Sequence, residues 1–266
     1  MIITINDDFD LYKIAYSGQC FRVKLIDNST YSFVTGCHKV TITELSDSQY
    51  EVSCDKKQWD SIWHHYFDLD TSYADIRKSI PASDTYLKNA SDIGKGIRIL
   101  RQDKFEMLIS FIISQRKSIP AIKSCVESLC SMYGQDGFFP TAKELHRATF
   151  EELKSCGLGY RVPYITDTVS RIVHKEVDLN ALDELNDAEL FESLKSFHGV
   201  GAKVANCVAL FAYHRTSLAP IDTWIQKVID SEYGGVNPFS NYPEHAGIMQ
   251  QYMFYAAQHI KNLNNN

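Results

Sequence analysis

The sequence predicts an α+β fold in which an antiparallel sheet comes first and an all-helical unit follows. Three observations carry that reading. Short β-branched and aromatic runs crowd the first 54 residues, helical periodicity takes over from about residue 102, and a glycine turn joins two helical patterns near residues 185–213. A length of 266 residues suffices for one large or two modest domains. The boundary is expected near residue 95, within Ile93-Gly94-Lys95-Gly96, giving a β-rich unit 1–95 and a helical unit 96–266.

The strand candidates are MIITI, CFRVKLI, TYSFVTG, KVTITEL and YEVSC, with Asp27-Asn28-Ser29 as a turn signal between two of them. Residues 57–68 switch to helical spacing, with Trp59, Ile62, Trp63, Tyr66 and Phe67 on one side. Further on, Asp103 is placed to cap a helix that buries Phe105, Leu108, Ile109 and Ile112. The polar run Ser114-Gln115-Arg116-Lys117-Ser118 interrupts that helix. Ser118 then opens another, which reaches about Met132 and tolerates Pro120 in its first turn. Gly157-Leu158-Gly159-Tyr160-Arg161 reads as a turn before the next helix.

The stretch from Phe191 to Lys227 is the most informative. Ser193, Leu194 and Phe197 close one helix, and His198-Gly199-Val200-Gly201 forms a turn in which both glycines suit positive φ. A second helix from about Ala202 to Tyr213 buries Val204, Val208 and Phe211, and Asp222 caps a third. A glycine turn feeding a helix N-terminus presents free backbone N–H groups and a positive dipole end, which suit a phosphate. Lys203 stands in the first turn of that helix. An amine beside a phosphate site, with a carboxylate nearby, fits base-excision chemistry. For the hairpin alone the ordinary reading is a helix–helix turn, a solvated lysine and a capping aspartate.

Composition sets the frame. With 44% hydrophobic and 12% aromatic residues the chain is globular in composition. A formal charge of −6 argues mildly against a nucleic-acid partner. Locally, Arg98, Arg101, Lys104, Arg116, Lys117, Lys123, Arg161, Arg171, Lys195 and Lys203 fall in the helical part and are candidates for a shared basic face. Seven cysteines, an odd number without a CxxC pair, point to a reducing compartment. That means cytoplasmic (nucleoid-associated) in a prokaryote, nuclear in a eukaryote. No apolar run suggests a signal peptide or membrane span, and no metal site or cofactor is expected. His64-His65 lacks companion ligands.

Six blocks change the odds: SGQCFR (17–22), LRQDKFEMLISFIIS (100–114), GLGYR (157–161), GVGAKVANC (199–207), PIDTW (220–224) and AGIMQQYMF (246–254). Together and in this order they resemble the helix-hairpin-helix DNA glycosylases (the HhH-GPD superfamily), and within them the 8-oxoguanine DNA glycosylase/lyases. The resemblance spans nearly the whole chain. It implies a TATA-binding-protein-like sheet domain before a helix-hairpin-helix core. Without cysteines after Cys207, the iron–sulfur branch is disfavoured.

The resemblance assigns roles residue by residue. Lys203 marks the bifunctional members as nucleophile, and Asp222 is the catalytic carboxylate. Gly18 meets the N7–H of 8-oxoguanine through its carbonyl. Phe254 and Cys207 cover the two faces of the flipped base, and Gln250 bonds its Watson–Crick edge. Gln115 or Arg116 fills the gap left by the base, where relatives usually carry asparagine at the Arg116 position. Tyr160 wedges beside the orphan base and Arg161 donates to it. The hairpin Gly199-Val200-Gly201 and Trp224, a position where histidine is common, face DNA phosphates. The arginine that reads the orphan cytosine is replaced by Ala121, so relaxed opposite-base selectivity is expected. The expected partner is duplex DNA containing 8-oxoguanine, met by a monomer. Two rivals are weighed: a monofunctional alkylated-base glycosylase, which lacks the lysine, and a non-catalytic helix-hairpin-helix DNA-binding module.

Overall fold

The structure, a computed structural model, describes residues 1–264, with side chains described through residue 259. The chain opens with β1 (Ile2–Thr4) and α1 (Leu11–Tyr16), then β2 (Lys24–Asp27), β3 (Thr30–Thr35), β4 (His38–Ser46) and β5 (Gln49–Val52). The strands form one antiparallel sheet in the order β1-β5-β4-β3-β2. In β3 and β4, Tyr31 pairs with Ile42 and Phe33 with Val40. Period-two alternation therefore sends all four side chains to one buried face, joined there by Tyr50 and Val52.

A helical segment covers that face: α2 (Lys56–Gln58), a π-turn at Trp59–Trp63, and α3 (His64–Tyr66). Tyr66 and Phe67 meet Phe33 there, with the Phe33 and Phe67 rings edge-on at 5.0 Å, and Trp59 and Trp63 pack on Phe67. The first 54 residues are not all strand. Asp10 caps α1 by accepting the Lys13 amide, so that segment winds into a helix. CFR in CFRVKLI also lies outside β2: Phe21 packs in the helical core and Arg22 bonds Glu106, while Cys20 stays with the sheet core.

The helical unit comprises α4 (Tyr73–Lys78), α5 (Thr85–Ile93), α6 (Lys104–Ser114), α7 (Ile119–Tyr133), α8 (Ala142–Leu145), α9 (Phe150–Ser155), α10 (Val162–Val173), α11 (Asp187–Lys195), α12 (Ala202–Ala212), α13 (Thr223–Glu232) and α14 (Ala246–Asn264). Side-chain caps from Asp103, Ser118 and Asp222 start α6, α7 and α13, as the local sequence dictates. The second apolar core begins upstream of residue 95. Tyr73, Ile76 and Leu87 belong to it, and α5 packs along α14. The Ile93–Gly96 segment is therefore not where the packing divides.

Two buried arginines join the units. Arg98 is fully buried and donates to the carbonyls of Phe67, Asp8, Asp68 and Thr71 and to the Asp7 carboxylate. Arg22 grips Glu106 with two bonds of 2.7 and 2.6 Å. The expected basic face loses several members as a result. Arg98 is interior, Arg101 pairs with Asp68, Lys104 with Asp183, and Lys195 with Glu192.

Asp68 sits at this seam, bound by Arg101, by Tyr73 and by the imidazole of His214 just past α12. Burial alone raises its carboxyl, but the bonds and charges of His214 and Arg101 outweigh that and bring it down to about 2. A carboxylate depressed below the ordinary 3.8 stabilises the fold fully above that value and loses the effect as pH falls toward the folded value. Asp68→Asn is expected to cost about 2 kcal/mol at neutral pH and to flatten the loss of stability between about pH 4 and 2, read by denaturant titration.

Candidate active site

The site is assembled from four segments that are distant in sequence. The first is the turn after α1. Gly18 adopts φ +81°, a left-handed conformation suited to glycine. Its neighbour Gln19, fully buried, fixes the turn. Gln19 donates to the Arg98 carbonyl and accepts from the Leu100 amide, while its own carbonyl takes a bond from Gln102. Phe21 then packs edge-on to Phe111 of α6. Gln19 and Phe21 thus anchor the turn that presents Gly18.

The hairpin between α11 and α12 supplies Lys203. Gly199 has φ +79°, and a Cβ there meets the Tyr164 ring at 2.3 Å. Gly201 departs from the expectation of positive φ. It is extended at φ −94° and caps α12, with open space where a side chain would be. Gly199→Ala should therefore cost about 1–3 kcal/mol, while Gly201→Ala costs less. Thermal unfolding of both variants checks the contrast.

Asp222 is held by its cap: Oδ1 accepts the Trp224 and Ile225 amides, both at 2.9 Å. Gln250 and Phe254 come from one face of α14. Lys203, Asp222, Cys207, Gln250, Phe254 and Gly18 all line a single cavity of about 40 Å³. The Cys207 thiol is influenced by both Lys203 and Asp222. Burial pushes it up, a hydrogen bond and the charge of Lys203 pull it back, and the Asp222 carboxylate pushes it up further.

Sequence reasoning missed other walls of this cavity. Phe111 lies 5.5 Å from the Lys203 amine, and its ring stacks on Phe211 at 5.4 Å. Gln251 donates to Gln250 at 3.2 Å and fixes its amide. Phe111 and Phe211 read as ordinary core positions of amphipathic helices, and only the crossing of α6 with α12 brings them to the amine. A volume of 40 Å³ holds about one water molecule. The Phe254 ring rests on Gly18, 3.0 Å from where a Cβ would stand. A bicyclic purine is larger than this space.

The expected DNA-facing residues form a second group beside the cavity. Arg116 is exposed and adopts φ +52° in the loop between α6 and α7. Gln115 turns its side chain back to the Ile112 carbonyl at 3.1 Å. Arg161 is buried, and its guanidinium binds the Gln115 and Leu158 carbonyls and lies 4.3 Å from the Tyr160 ring. Tyr160 is 52% exposed. Tyr164 links Tyr160, at 6.0 Å, to His198 of the hairpin, at 4.7 Å. Loop, turn and hairpin are thus one continuous edge, on which Arg161 braces the loop from inside. Trp224 is half-buried, with Lys227 5.9 Å from its ring.

Comparison with known proteins gives consistent results. Residues 1–108 match the 8-oxoguanine DNA glycosylase N-terminal domain, and residues 109–244 match the HhH-GPD superfamily base excision DNA repair protein model. A Clostridium acetobutylicum 8-oxoguanine glycosylase/lyase, solved with duplex DNA carrying cytosine opposite 8-oxoguanine, superposes with a TM-score of 0.89 at 35% identity, covering 98% of each chain. MBOgg1, solved with a low-affinity DNA ligand, gives 0.92 at 32% identity over 98% of this chain and 96% of its own. The N-glycosylase/DNA lyase of Saccharomyces cerevisiae is 35% identical over 190 residues, 63% of this chain. The matched region spans half the length of that yeast relative.

Proposed function

This chain belongs to the HhH-GPD superfamily of base excision DNA repair proteins, on its 8-oxoguanine DNA glycosylase branch, and from that premise we propose that it is a bifunctional DNA glycosylase and AP lyase that excises 8-oxoguanine from duplex DNA. The observation that carries the reading is the convergence of Lys203 and Asp222 on one cavity whose other walls include Gly18, Cys207, Gln250 and Phe254. Neither rival accounts for it. A monofunctional glycosylase has no use for the amine, and a binding module has no use for the cavity.

The chemistry follows from the groups present. The lesion base swings out of the stack, and Phe254 moves off Gly18 to admit it. Gly18 reads N7–H through its carbonyl, a bond that guanine cannot return, and a missed bond in a closed pocket costs binding. The Lys203 amine attacks C1′ as the glycosidic bond breaks and the electron pair leaves with the base. Asp222, fixed by its two amide bonds, stabilises the positive charge developing on the sugar. Ring opening gives a Schiff base, and β-elimination then cuts the strand.

On the DNA side, the geometry supports Arg116 over Gln115 as the group that fills the gap. Arg116 projects outward, whereas Gln115 is bonded to its own helix. Tyr160 wedges beside it, and the hairpin amides of Gly199 and Gly201, with Trp224, meet phosphates, while the Val200 amide is already donated to the Phe197 carbonyl at 3.0 Å. Ala121 offers the orphan base no donor side chain. The protein acts as a monomer on this reading.

The test is strand cleavage of duplexes carrying one 8-oxoguanine opposite each of the four bases, with a guanine control. Cleavage of the lesion strand in all four, with less than about a tenfold spread, is expected. Cleavage confined to one partner base contradicts the opposite-base reading, and absence of cleavage contradicts the enzyme.

A further inference from the structure

Behind Gly18 lies a second cavity, of about 240 Å³, between α1, α7 and α14. Gly18 lines both spaces, so the two adjoin at this residue. The walls of the second are unusually rich in rings. Tyr12 and Tyr16, both exposed, pair at 4.8 Å across one turn of α1, and Tyr255 and His259 stack at 6.1 Å on α14. Lys123 of α7 holds its amine 5.3 Å from the Tyr16 ring. Roughly eight waters' worth of room is available, against one in the catalytic cavity.

We propose that this cavity is a binding site for the free oxidised purine base, receiving it from the catalytic cavity after excision. The inference rests on the glycosylase reading. Three features support it. With the Phe254 ring on Gly18, as in this structure, the catalytic cavity of about 40 Å³ is too small for a bicyclic base, so the free product does not fit there in this conformation. Flat aromatic walls suit a purine face, since stacking tolerates any base. The Lys123 ammonium, a donor without acceptor capacity, suits the O6 and O8 carbonyls of 8-oxoguanine. A base still attached to DNA is held by its sugar at Lys203, on the other side of Gly18 and Phe254.

The experiment is a titration of the full chain with free 8-oxoguanine, followed by saturation-transfer NMR. Gln250→Ala is expected to retain binding, because the second cavity is untouched. Tyr16→Ala and Lys123→Met are each expected to weaken that remaining binding about tenfold when combined with Gln250→Ala. Tyr16→Ala alone keeps single-turnover excision within about twofold and lowers multiple turnover, with an unchanged unfolding midpoint showing that it folds. Loss of all base binding in Gln250→Ala, or indifference of the remaining binding to Tyr16 and Lys123, overturns the proposal. Wild-type cleavage of the lesion duplex, run in parallel, reports on the glycosylase reading separately.

Discussion

Lys203→Gln is expected to lower base excision by at least about a thousandfold and to abolish strand cleavage. Glutamine keeps nearly the length and polarity of the side chain but has no nucleophilic lone pair. Helix α12 gains no strain from the change, because the residue is half-buried with its head in the cavity. Removing a nucleophile disables the chemical step, and what survives comes from Asp222 and substrate binding. Affinity for lesion duplex should change little, because on the proposed reading the hairpin and the Arg116 loop hold the DNA. A gel-shift titration beside single-turnover kinetics separates the two. Residual excision near wild-type rates would mean that water is the nucleophile and that Lys203 serves only the later lyase step.

The second large effect is expected at Asp222, where structure and chemistry share one carboxylate. Asp222→Asn keeps an oxygen for the Trp224 and Ile225 amides and should alter stability by only a few tenths of a kcal/mol. It removes the negative charge facing the sugar, and a fall in excision rate of about 100- to 1000-fold is expected. Asp222→Ala loses both, so the same kinetic defect appears with about 1 kcal/mol of added instability. Kinetics and denaturant unfolding on both variants check this. Equal activity of Asn and Asp would reduce Asp222 to a cap.

Much of this was legible in the sequence because the relevant forces are local. Asp103, Ser118 and Asp222 cap their helices through amides two or three residues away, and Gly18 and Gly199 need positive φ for turns that their own neighbours define. The site residues expected from four of the motif blocks meet at one cavity: Gly18, Lys203 with Cys207, Asp222, and Gln250 with Phe254. What stayed hidden depends on distant partners. Nothing around Arg98 announces that four carbonyls from residues 8 to 71 will bury it. Arg161 faces inward because the Gln115 carbonyl, 46 positions away, accepts its guanidinium. Tyr73 to Leu87 joined the helical core because α14, at the far end of the chain, offered α5 an apolar face. Leu11–Tyr16 was masked by the strands on either side.

The central claim is that the Lys203 amine bonds to the sugar carbon of the lesion nucleotide. The most direct measurement is borohydride reduction of wild-type protein turning over an 8-oxoguanine duplex, followed by proteolysis and mass mapping of the adduct. The account predicts one dominant adduct, on the peptide that contains Lys203. An adduct on another lysine or on the terminal amine, or a trapped yield unchanged in Lys203→Gln, would contradict it.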